Sequence, residues 1–444
     1  MKHKSLVKLK KQTEIEKIKA EKSILDRHSN PGHFLEDYML NDPVCLYKWT
    51  WSTIRLWEGT TNSCHRVKSD PIPENYEDFH NTPTKIADRG KMLAGQWPGG
   101  GCEYCRDIER AGGESDRTMM NSTPPSMVYP KELDKNKYET SLTPKMVEVY
   151  FNNLCNLGCV YCSAEYSTVW EVENKKHNPI IELPHTSEVS PATSNRQLYL
   201  DRVEKHFEWL KKHHKDIKRY NVLGGEPFFQ PEFERNVDFF LDNPSPDLDF
   251  TIFTNLKVKP DKMRRILDKA KLCMDKKHLR TFGMVFSLDC WGPQQEYTRS
   301  GINLQDWETN FNIILNEYPD FRLMIHSTIV SLGLPTLPDL LRKVVEWKKK
   351  RNIGISFSIA DGREAMHPGI WNNTIMDQYW RSAIDLVSGA ERQALIGLRG
   401  VSIIKEENKD LQKELFSILD QLDVRRNTNW RETFDWLRKI ENGV

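Results

Sequence analysis

Three closely spaced cysteines are the residues of this sequence best suited to chemistry. Cys155, Cys159 and Cys162 form a C-x3-C-x2-C pattern directly after a short apolar segment. Cubane iron–sulfur clusters are normally held by four thiolates, one for each iron. Three thiolates in one short loop therefore leave one iron without a protein ligand. Because an open coordination position distinguishes a reactive metal site from a closed structural one, the pattern predicts a cluster to which a small molecule binds directly.

A second group of four cysteines precedes this loop in the chain. Cys45 and Cys64 are followed by the pair Cys102 and Cys105, which comes directly after the glycine-rich stretch 98–101. Glycine permits close approach of the backbone, so the pair can converge on one centre with the two earlier thiols. Four thiolates suit either zinc or an iron–sulfur cluster, and spacing alone does not choose between them. The neighbouring three-cysteine loop favours a cluster, with zinc and unligated cysteines as the alternatives.

The composition indicates a soluble globular protein in a reducing compartment. Hydrophobic residues make up 38% and charged residues 29% of 444 positions, and no apolar run is long enough to cross a bilayer. With 64 basic and 63 acidic residues, the charge balance predicts neither a nucleic-acid partner nor a membrane partner. No export signal is visible, so we expect a cytoplasmic protein whose grouped cysteines are metal ligands. The single Cys273 and Cys290 are expected to be buried hydrophobic residues, and Cys290 is also the one candidate for a fourth ligand of the three-cysteine loop.

Apolar segments typical of strands alternate with amphipathic helical patterns between residues 145 and 361. This alternation predicts an α/β fold with a parallel sheet. Six repeats fall short of a closed eight-fold barrel, so we expect a partial, open (β/α)6 TIM-like barrel with its reactive groups at the carboxyl ends of the strands. The cysteine loop follows the first strand. The strand candidates are Val147–Phe151, Tyr220–Leu223, Phe250–Thr254, Phe282–Leu288, Leu323–Ile329 and Ile353–Ile359.

The sequence patterns divide the chain into four predicted regions. Residues 1–40 form a charged N-terminal arm, and 41–121 form a small cysteine-rich module. The α/β core follows at 145–361, and 362–444 form a C-terminal helical extension. Within the core, residues 173–195 are polar with three prolines and are predicted to be a loop or insertion.

Polar residues recur at the predicted strand ends. The second strand ends in Gly224-Gly225-Glu226-Pro227, where the glycines expose the backbone to a ligand and the carboxylate can hold an ammonium group. The bland alternatives are an ordinary turn and caps of the following helices. The lone His326 is expected to be a satisfied core residue. The further rim candidates are Thr254, Asn255, Ser287, Asp289, Arg299, Ser327 and Asp361.

The cysteine loop, with Tyr161 before its last cysteine and the Gly-Gly-Glu-Pro turn one strand later, resembles the radical S-adenosylmethionine (SAM) superfamily. Members reduce SAM at the open iron of a [4Fe–4S] cluster, cleave its carbon–sulfur bond and use the resulting deoxyadenosyl radical to abstract hydrogen. The resemblance implies SAM and this cluster as cofactors, with an external electron donor of flavodoxin or ferredoxin type. It implies that Cys155, Cys159 and Cys162 are the cluster ligands and catalytic centre. The implied SAM contacts are Tyr161, Gly224, Gly225, Glu226, Pro227, Asn255, Ser287, Asp289 and Arg299.

Residues 41–121 resemble the auxiliary-cluster modules called twitch and SPASM domains. The similar pieces are Cys45 with Trp49, Gly59 with Cys64, and Cys102 and Cys105 with Glu109 and Gly112. The resemblance implies one auxiliary [4Fe–4S] cluster held by Cys45, Cys64, Cys102 and Cys105. The chain departs from the pattern by placing the module before the core and by having Cys64-His65 where two cysteines are common, which makes His65 the substitute ligand.

Superfamily members with auxiliary clusters commonly modify peptides, so the resemblance implies a peptide or protein substrate, with a sugar or other metabolite as the runner-up. Two interpretations from other classes remain open at this point. A non-catalytic zinc or cluster protein would bind no SAM, and an electron-transfer protein would need a fourth cysteine at the three-cysteine loop.

Overall fold

The computed structural model describes residues 43–110, 115–122, 141–180, 183, 195–360, 362–371, 373–403 and 405–442. The predicted N-terminal arm and Asp361 lie outside these residues. The chain divides into two compact units, which are described separately below. The smaller unit comprises 1–53 with 61–146, and the larger comprises 54–60 with 147–444. The segment 54–60, which the sequence analysis assigned to the cysteine-rich module, therefore belongs to the larger unit.

The smaller unit combines short strands with short helices. Neighbouring strands follow the order β1 (Trp51–Arg55), β2 (Thr60–Asn62) and β3 (Asp70–Pro71). A 3-10 helix spans Tyr76–His80. The α-helices are α1 (Tyr47–Thr50), α2 (Pro83–Leu93), α3 (Glu103–Arg110) and α4 (Asp116–Asn121).

Two of the predicted metal ligands belong to the core of this unit. Cys45 and Cys102 pack in one buried apolar cluster with Val44, Trp49 and Met92. Their place in the core follows from α1 and α2, which bring Trp49 and Met92 together. Any group held by these cysteines is therefore surrounded by apolar side chains, which limit access of solvent.

The larger unit contains the parallel sheet that the sequence predicts. The strands are β4 (Met146–Tyr150), β6 (Arg219–Leu223), β7 (Ser245–Thr254), β8 (Leu279–Ser287), β10 (Arg322–Ile329) and β11 (Ile353–Ile359). They lie in the order β11-β10-β8-β7-β6-β4, so spatial order follows chain order. The pairs β6–β7, β7–β8, β8–β10 and β10–β11 are parallel. All six predicted strands are present, and the fold is α/β with a mostly parallel sheet.

Helices follow the strands with the predicted 3.6-residue periodicity. The connecting helices are α5 (Thr168–His177), α6 (Arg196–His213), α7 (Pro231–Asp242), α8 (Pro260–Asp275), α9 (Pro293–Thr298), α10 (Leu304–Glu317) and α11 (Leu337–Lys350). Helix α5 corrects the prediction of a loop over 173–195, because its last five residues are helical. Its apolar periodicity is weak: Trp170 is its one fully buried aromatic residue, and the rest of the helix is largely polar.

Helices make up most of the described residues after β11. These are α12 (Asn373–Ile384), α13 (Gly389–Ile403), α14 (Lys409–Arg426), α15 (Trp430–Thr433) and α16 (Asp435–Glu441). Arg426 of α14 forms an ion pair with Glu173 of α5 at 3.0 Å, which ties the two helices together. Among the described residues, no helix is both long enough and apolar enough to cross a membrane.

Candidate active site

The three cysteines of the loop line one cavity of about 510 Å³ in the larger unit. We call this space the strand-end cavity, because it is also lined by Leu223, Phe253 and Ser287, which end or nearly end β6, β7 and β8. The carboxyl ends of parallel strands meet at one edge of a sheet. The sequence therefore correctly placed the cysteine loop at this edge.

The cysteine loop, residues 155–162, is held by partners far away in the chain. Gly158 and Cys159 form the two-residue strand β5, which pairs antiparallel with β9 (Arg299–Ser300). The indole nitrogen of Trp170 donates to the Cys159 carbonyl at 2.8 Å. Arg363 donates to the Cys162 carbonyl at 3.1 Å. These bonds fix the loop backbone, and so restrict where its thiols point, before any ligand binds.

The Gly-Gly turn after β6 packs directly against this loop. Gly224 and Gly225 both have positive φ, at +83° and +45°, and both line the strand-end cavity. A Cβ on Gly225 would overlap the Leu154 carbonyl, and a Cβ on Gly224 would press on Tyr150. Only glycine satisfies both the backbone conformation and the close approach.

The next residue of the turn, Glu226, was predicted to contact SAM, but its side chain does not line the strand-end cavity. The side chain is fully buried. The carboxylate accepts hydrogen bonds from Thr254 Oγ1 and from the Asn255 backbone N–H, both at 2.6 Å. Burial raises the pKa of Glu226 to about 7, although these hydrogen bonds oppose the shift. Glu226 thus fixes the end of β7, and Pro227 behind it is also buried away from the cavity.

Asp289 and Arg299 form a buried ion pair beside the cysteine loop. The Asp289 carboxylate accepts two hydrogen bonds from the Arg299 guanidinium, both at 2.8 Å. It also accepts from the Tyr161 hydroxyl at 2.6 Å and from the Thr328 backbone N–H at 3.0 Å. The remaining terminal nitrogen of Arg299 lies 3.8 Å from Cys159 Sγ. The pair therefore orients Tyr161 and places a positive charge beside a thiol.

Other rim candidates divide between the cavity and the core. Asn255 and Ser287 line the strand-end cavity, and Asn255 Nδ2 lies 3.8 Å from Cys155 Sγ. Ser327 instead donates to the Asp289 carbonyl. His326 binds the hydroxyls of two serines on β11 at 2.9 and 3.1 Å, as expected of a satisfied core residue.

The two isolated cysteines are both buried, as predicted. Cys273 Sγ lies 3.8 Å from the Val237 carbonyl oxygen. Cys290 Sγ lies 3.5 Å from Gln295 Oε1, and Cys290 does not line the strand-end cavity. The structure therefore does not bring a fourth thiol to the cysteine loop.

One wall of the strand-end cavity was missed by the sequence analysis. Tyr150, Glu165 and Tyr166 line it, and the Glu165 carboxyl lies against the carboxyl of Glu58. Burial, followed by the hydrogen bond with Glu165, raises the pKa of Glu58 to about 7. Glu58 carries no spacing signal, whereas Arg363 could have been found as a polar residue just beyond the sixth strand.

The environment of the loop thiols combines burial with nearby positive charge. Burial raises the pKa of Cys155 and Cys159 above the ordinary value and that of Cys162 to about 12. Arg299 opposes this effect at Cys159. Metal binding requires thiolates, and the Arg299 guanidinium favours the thiolate of Cys159, so these buried cysteines suit ligation of a metal centre better than the role of a free reactive cysteine. The donor set and its surroundings fit an iron–sulfur cluster.

The four cysteines of the smaller unit also line one cavity, which we call the four-cysteine cavity. Gly101, with φ +118°, leaves no room for a Cβ against the Arg66 carbonyl, so it brings the segment of Cys102 against that of Cys64. Burial raises the pKa of Cys102 to about 11 and that of Cys45 further. The glycine-rich turn thus brings all four cysteines to the lining of one cavity.

A buried lysine also lines this cavity, whereas the predicted substitute ligand does not. The buried Lys48 lines the four-cysteine cavity and donates to Asp88 at 2.5 Å. His65 is exposed and packs its ring edge-on against Trp51, outside the cavity lining. Within the described residues, no three His, Cys, Asp or Glu side chains converge on a single ion.

A three-thiol loop at the strand ends of a parallel α/β sheet defines the class as a cofactor-dependent α/β enzyme. Residues 149–275 match the model of the family described as the Radical SAM superfamily. The chain therefore carries a segment of the Radical SAM superfamily of enzymes. The matched segment contains the cysteine loop, the Gly-Gly turn and β7, whereas the smaller unit and β8–β11 lie outside it.

Comparison with other proteins adds distant similarities. No curated protein sequence matches the chain. SuiB of Streptococcus suis bound to the precursor peptide SuiA is 10% identical, with TM-score 0.36 over 76% of this chain and 69% of SuiB. SuiB bound to S-adenosylmethionine is 13% identical, with TM-score 0.35 over 87% and 70%. TYW1 with a lysine-pyruvate adduct is 14% identical, with TM-score 0.30 over 54% and 74%. These scores are too low for the functions of those proteins to be transferred.

Proposed function

We propose that this protein holds a [4Fe–4S] cluster through Cys155, Cys159 and Cys162 and cleaves SAM reductively to begin hydrogen abstraction from a peptide or protein. The observation that carries the proposal is that the three thiols and the Gly-Gly turn line one cavity at the strand ends, inside the segment that matches the superfamily. Three thiolates leave one iron open for SAM. When bound, the cluster and SAM supply the radical chemistry.

The residues around the strand-end cavity have distinct tasks in this proposal. The exposed backbone of Gly224 and Gly225 takes the amino group of SAM, because no side chain prevents close approach. Asn255 and Ser287 offer polar groups to the rest of SAM from the same cavity wall. Arg299 stabilises the thiolate of Cys159 and offers positive charge toward the SAM carboxylate.

Glu226 and Asp289 position residues that contact SAM in this proposal. Glu226 accepts from the Asn255 backbone and so positions the Asn255 side chain, while Asp289 holds Arg299 through two hydrogen bonds. Both carboxyls are buried and already have protein donors, so we assign them to positioning rather than to binding SAM. This assignment changes the role that the sequence suggested for Glu226.

We further propose that the larger unit is a partial (β/α)6 barrel. Its support is the order of the six strands, in which each helical connection moves the chain to the next strand in one direction. A doubly wound sheet instead reverses direction at a switch point.

We infer a second [4Fe–4S] cluster at Cys45, Cys64, Cys102 and Cys105. The inference is supported by one cavity lined by all four thiols and by apolar packing around two of them. The peptide substrate is inferred from this module, because superfamily members that carry one commonly modify peptides. A sugar or other small metabolite is the competing substrate class.

The first experiment uses anaerobically reconstituted protein reduced with dithionite. We expect about eight irons per chain, as two cubanes require, little zinc, and an electron paramagnetic resonance signal that changes when SAM is added. Release of 5′-deoxyadenosine should accompany the change. The Cys155→Ala variant should lose the SAM-sensitive signal and keep the other one, whereas Cys102→Ala should show the reverse. An electron paramagnetic resonance signal that does not change when SAM is added, together with no release of 5′-deoxyadenosine, would reject the proposal.

The substrate class is tested with fractionated cell extract. We expect extract to raise the rate of 5′-deoxyadenosine formation above the rate without substrate, and we expect prior protease treatment of the extract to abolish that increase. The control is extract incubated in the same way with protease that has been inactivated beforehand. An increase that survives protease and passes a small-pore filter would instead favour a metabolite.

A further inference from the structure

A second large groove lies beside the cysteine loop in the larger unit. It has a volume of about 520 Å³ and is lined by the backbone that follows β7, by the segment after β9 and by one side of α10. Asn156, inside the cysteine loop, forms part of its wall. We call this space the lysine groove, because Lys257, Lys259 and Lys262 all line it.

The charge of the lysine groove is unbalanced. Its three lysines are exposed, and Asp306 is the single acidic residue of its lining. Neither Lys259 nor Lys262 forms an ion pair within the described part of the chain. The remaining basic residues of α8 are all paired with carboxylates: Arg264 with Glu317, Arg265 with Glu234, Lys269 with Asp238 and Lys271 with Asp275. Within the described part of the chain, Lys262 is thus the one basic residue of α8 without an ion pair, and it borders the groove beside Asp261.

The groove also offers apolar surface. Phe229 is 50% exposed at its edge. Apolar contact surrounded by charge is the usual composition of a protein-binding surface.

A short hydrogen-bonded path connects the groove to the first cysteine of the loop. The Asn156 side chain donates to the Lys257 carbonyl at 2.7 Å, and Lys257 Nζ donates to the Asn156 carbonyl at 3.1 Å. Asn255 Nδ2 lies 3.1 Å from Asn156 Oδ1 and 3.8 Å from Cys155 Sγ. A protein bound in the groove would thus be separated from the Cys155 thiol by two asparagine side chains.

We propose that the lysine groove is the docking site of the external electron donor, a small acidic flavoprotein of the flavodoxin type. This inference rests on the proposed function, which consumes one electron for each SAM cleaved. The reduced flavin of the donor loses that electron and is oxidised, and the cluster at the cysteine loop gains it, with no bond made or broken in the transfer. Redox partners form small, weak and charge-steered encounters, which a basic patch next to the acceptor favours.

The test compares two reductants of the reconstituted enzyme. A double variant, Lys259→Glu with Lys262→Glu, reverses the two groove lysines that are not hydrogen-bonded to the cysteine loop. Its control reverses two exposed lysines outside the groove, Lys211→Glu and Lys215→Glu, so that both variants have the same net charge. The 5′-deoxyadenosine rate is measured with dithionite and with recombinant bacterial flavodoxin kept reduced by its NADPH-dependent reductase.

We expect the groove variant to lose at least tenfold in kcat/KM for flavodoxin while its dithionite rate stays within about twofold of the unmodified enzyme. The flavodoxin-dependent rate of the unmodified enzyme should fall as salt rises, since the attraction is screened. The control variant should keep both rates. Equal flavodoxin rates in the two double variants, or loss of both rates in the groove variant, would overturn the docking proposal.

A direct binding measurement separates this proposal from the proposed function. Oxidised flavodoxin is titrated into each protein at low salt by calorimetry, which requires no turnover. If no protein cleaves SAM with dithionite, the proposed function fails, and calorimetry still decides whether the groove binds the flavoprotein. A groove variant that binds flavodoxin normally but loses the extract-dependent rate increase would overturn the proposal and assign the groove to the substrate.

Discussion

Replacing Asp289 with asparagine removes the charge from a carboxylate that four donors share. Two donors come from Arg299, one from the Tyr161 hydroxyl and one from the Thr328 backbone. The side chains of Asp289 and Arg299 are only 1% and 8% exposed. The Asp289→Asn side chain keeps the shape but turns an N–H group toward some of these donors, and it leaves the Arg299 guanidinium buried without its counter-charge.

The expected cost is about 3–5 kcal/mol of the free energy of unfolding, which is typical when one member of a buried ion pair is removed. The double variant Asp289→Asn with Arg299→Met should cost less than Asp289→Asn alone, because it leaves no buried charge unpaired. Glu317→Gln is the matched control. It also breaks an arginine–carboxylate pair, with Arg264, but those side chains are 38% and 44% exposed, so its cost should be far smaller than that of Asp289→Asn.

The assay is anaerobic urea unfolding followed by near-ultraviolet circular dichroism, with all proteins at the same iron content. The midpoint shifts, multiplied by the common slope, give the differences in the free energy of unfolding. The reasoning would be refuted by a cost for Asp289→Asn no larger than that of Glu317→Gln. It would also be refuted by a double variant less stable than the single one, because the penalty would then not arise from the uncompensated charge.

Three further predictions concern other parts of the two units. Gly225→Ala should abolish SAM binding in a calorimetric titration and lower the free energy of unfolding, because the added Cβ overlaps the Leu154 carbonyl. The control Gly397→Ala has open space around its Cβ, so it should leave SAM binding unchanged and keep or slightly raise the free energy of unfolding. Folding raises the pKa of Glu58 from 4.5 to about 7, so between these pH values the folded protein keeps a proton that the unfolded chain loses. The free energy of unfolding should therefore fall by roughly 1.4 kcal/mol per pH unit from pH 4.5 to about 7. In urea titrations across this range, Glu58→Gln should remove this part of the pH dependence. Lys48→Met should shift the midpoint potential of the auxiliary cluster to more negative values in a redox titration, because a buried ammonium beside its thiols favours the more negative reduced state.

Local patterns predicted the elements best where apolar residues alternate or recur with a clear period. Strand β11 was predicted at 353–359 and has these bounds. Strand β7 begins at Ser245 rather than at Phe250, because its first residues are polar and partly exposed and give no apolar signal. Helix α5 was missed for a related reason, since its anchoring contact is a single tryptophan that bonds to the cysteine loop.

The site was predictable as a set of residue types but not as a set of contacts. Spacing brought the three cysteines and the glycines to one edge of the sheet, because strand ends meet there in any parallel sheet. The partner of the Glu226 carboxyl is 28 residues away, and Arg363 reaches the Cys162 carbonyl across 201 residues. Such pairings depend on which loops the fold brings together, so no local pattern predicts them.

These long-range contacts explain how an eight-residue loop can be shaped before it binds anything. Its carbonyls at Cys159 and Cys162 are occupied by Trp170 and Arg363, and its β5 segment is paired with β9. A loop restrained in this way loses little conformational entropy when its thiols take up a cluster, and ordering entropy is a main cost of building a binding site. Arg299, which begins β9, contributes both a backbone partner and a side-chain charge to the same loop. The strand pairing that orders the loop therefore also brings it the guanidinium that favours its thiolates.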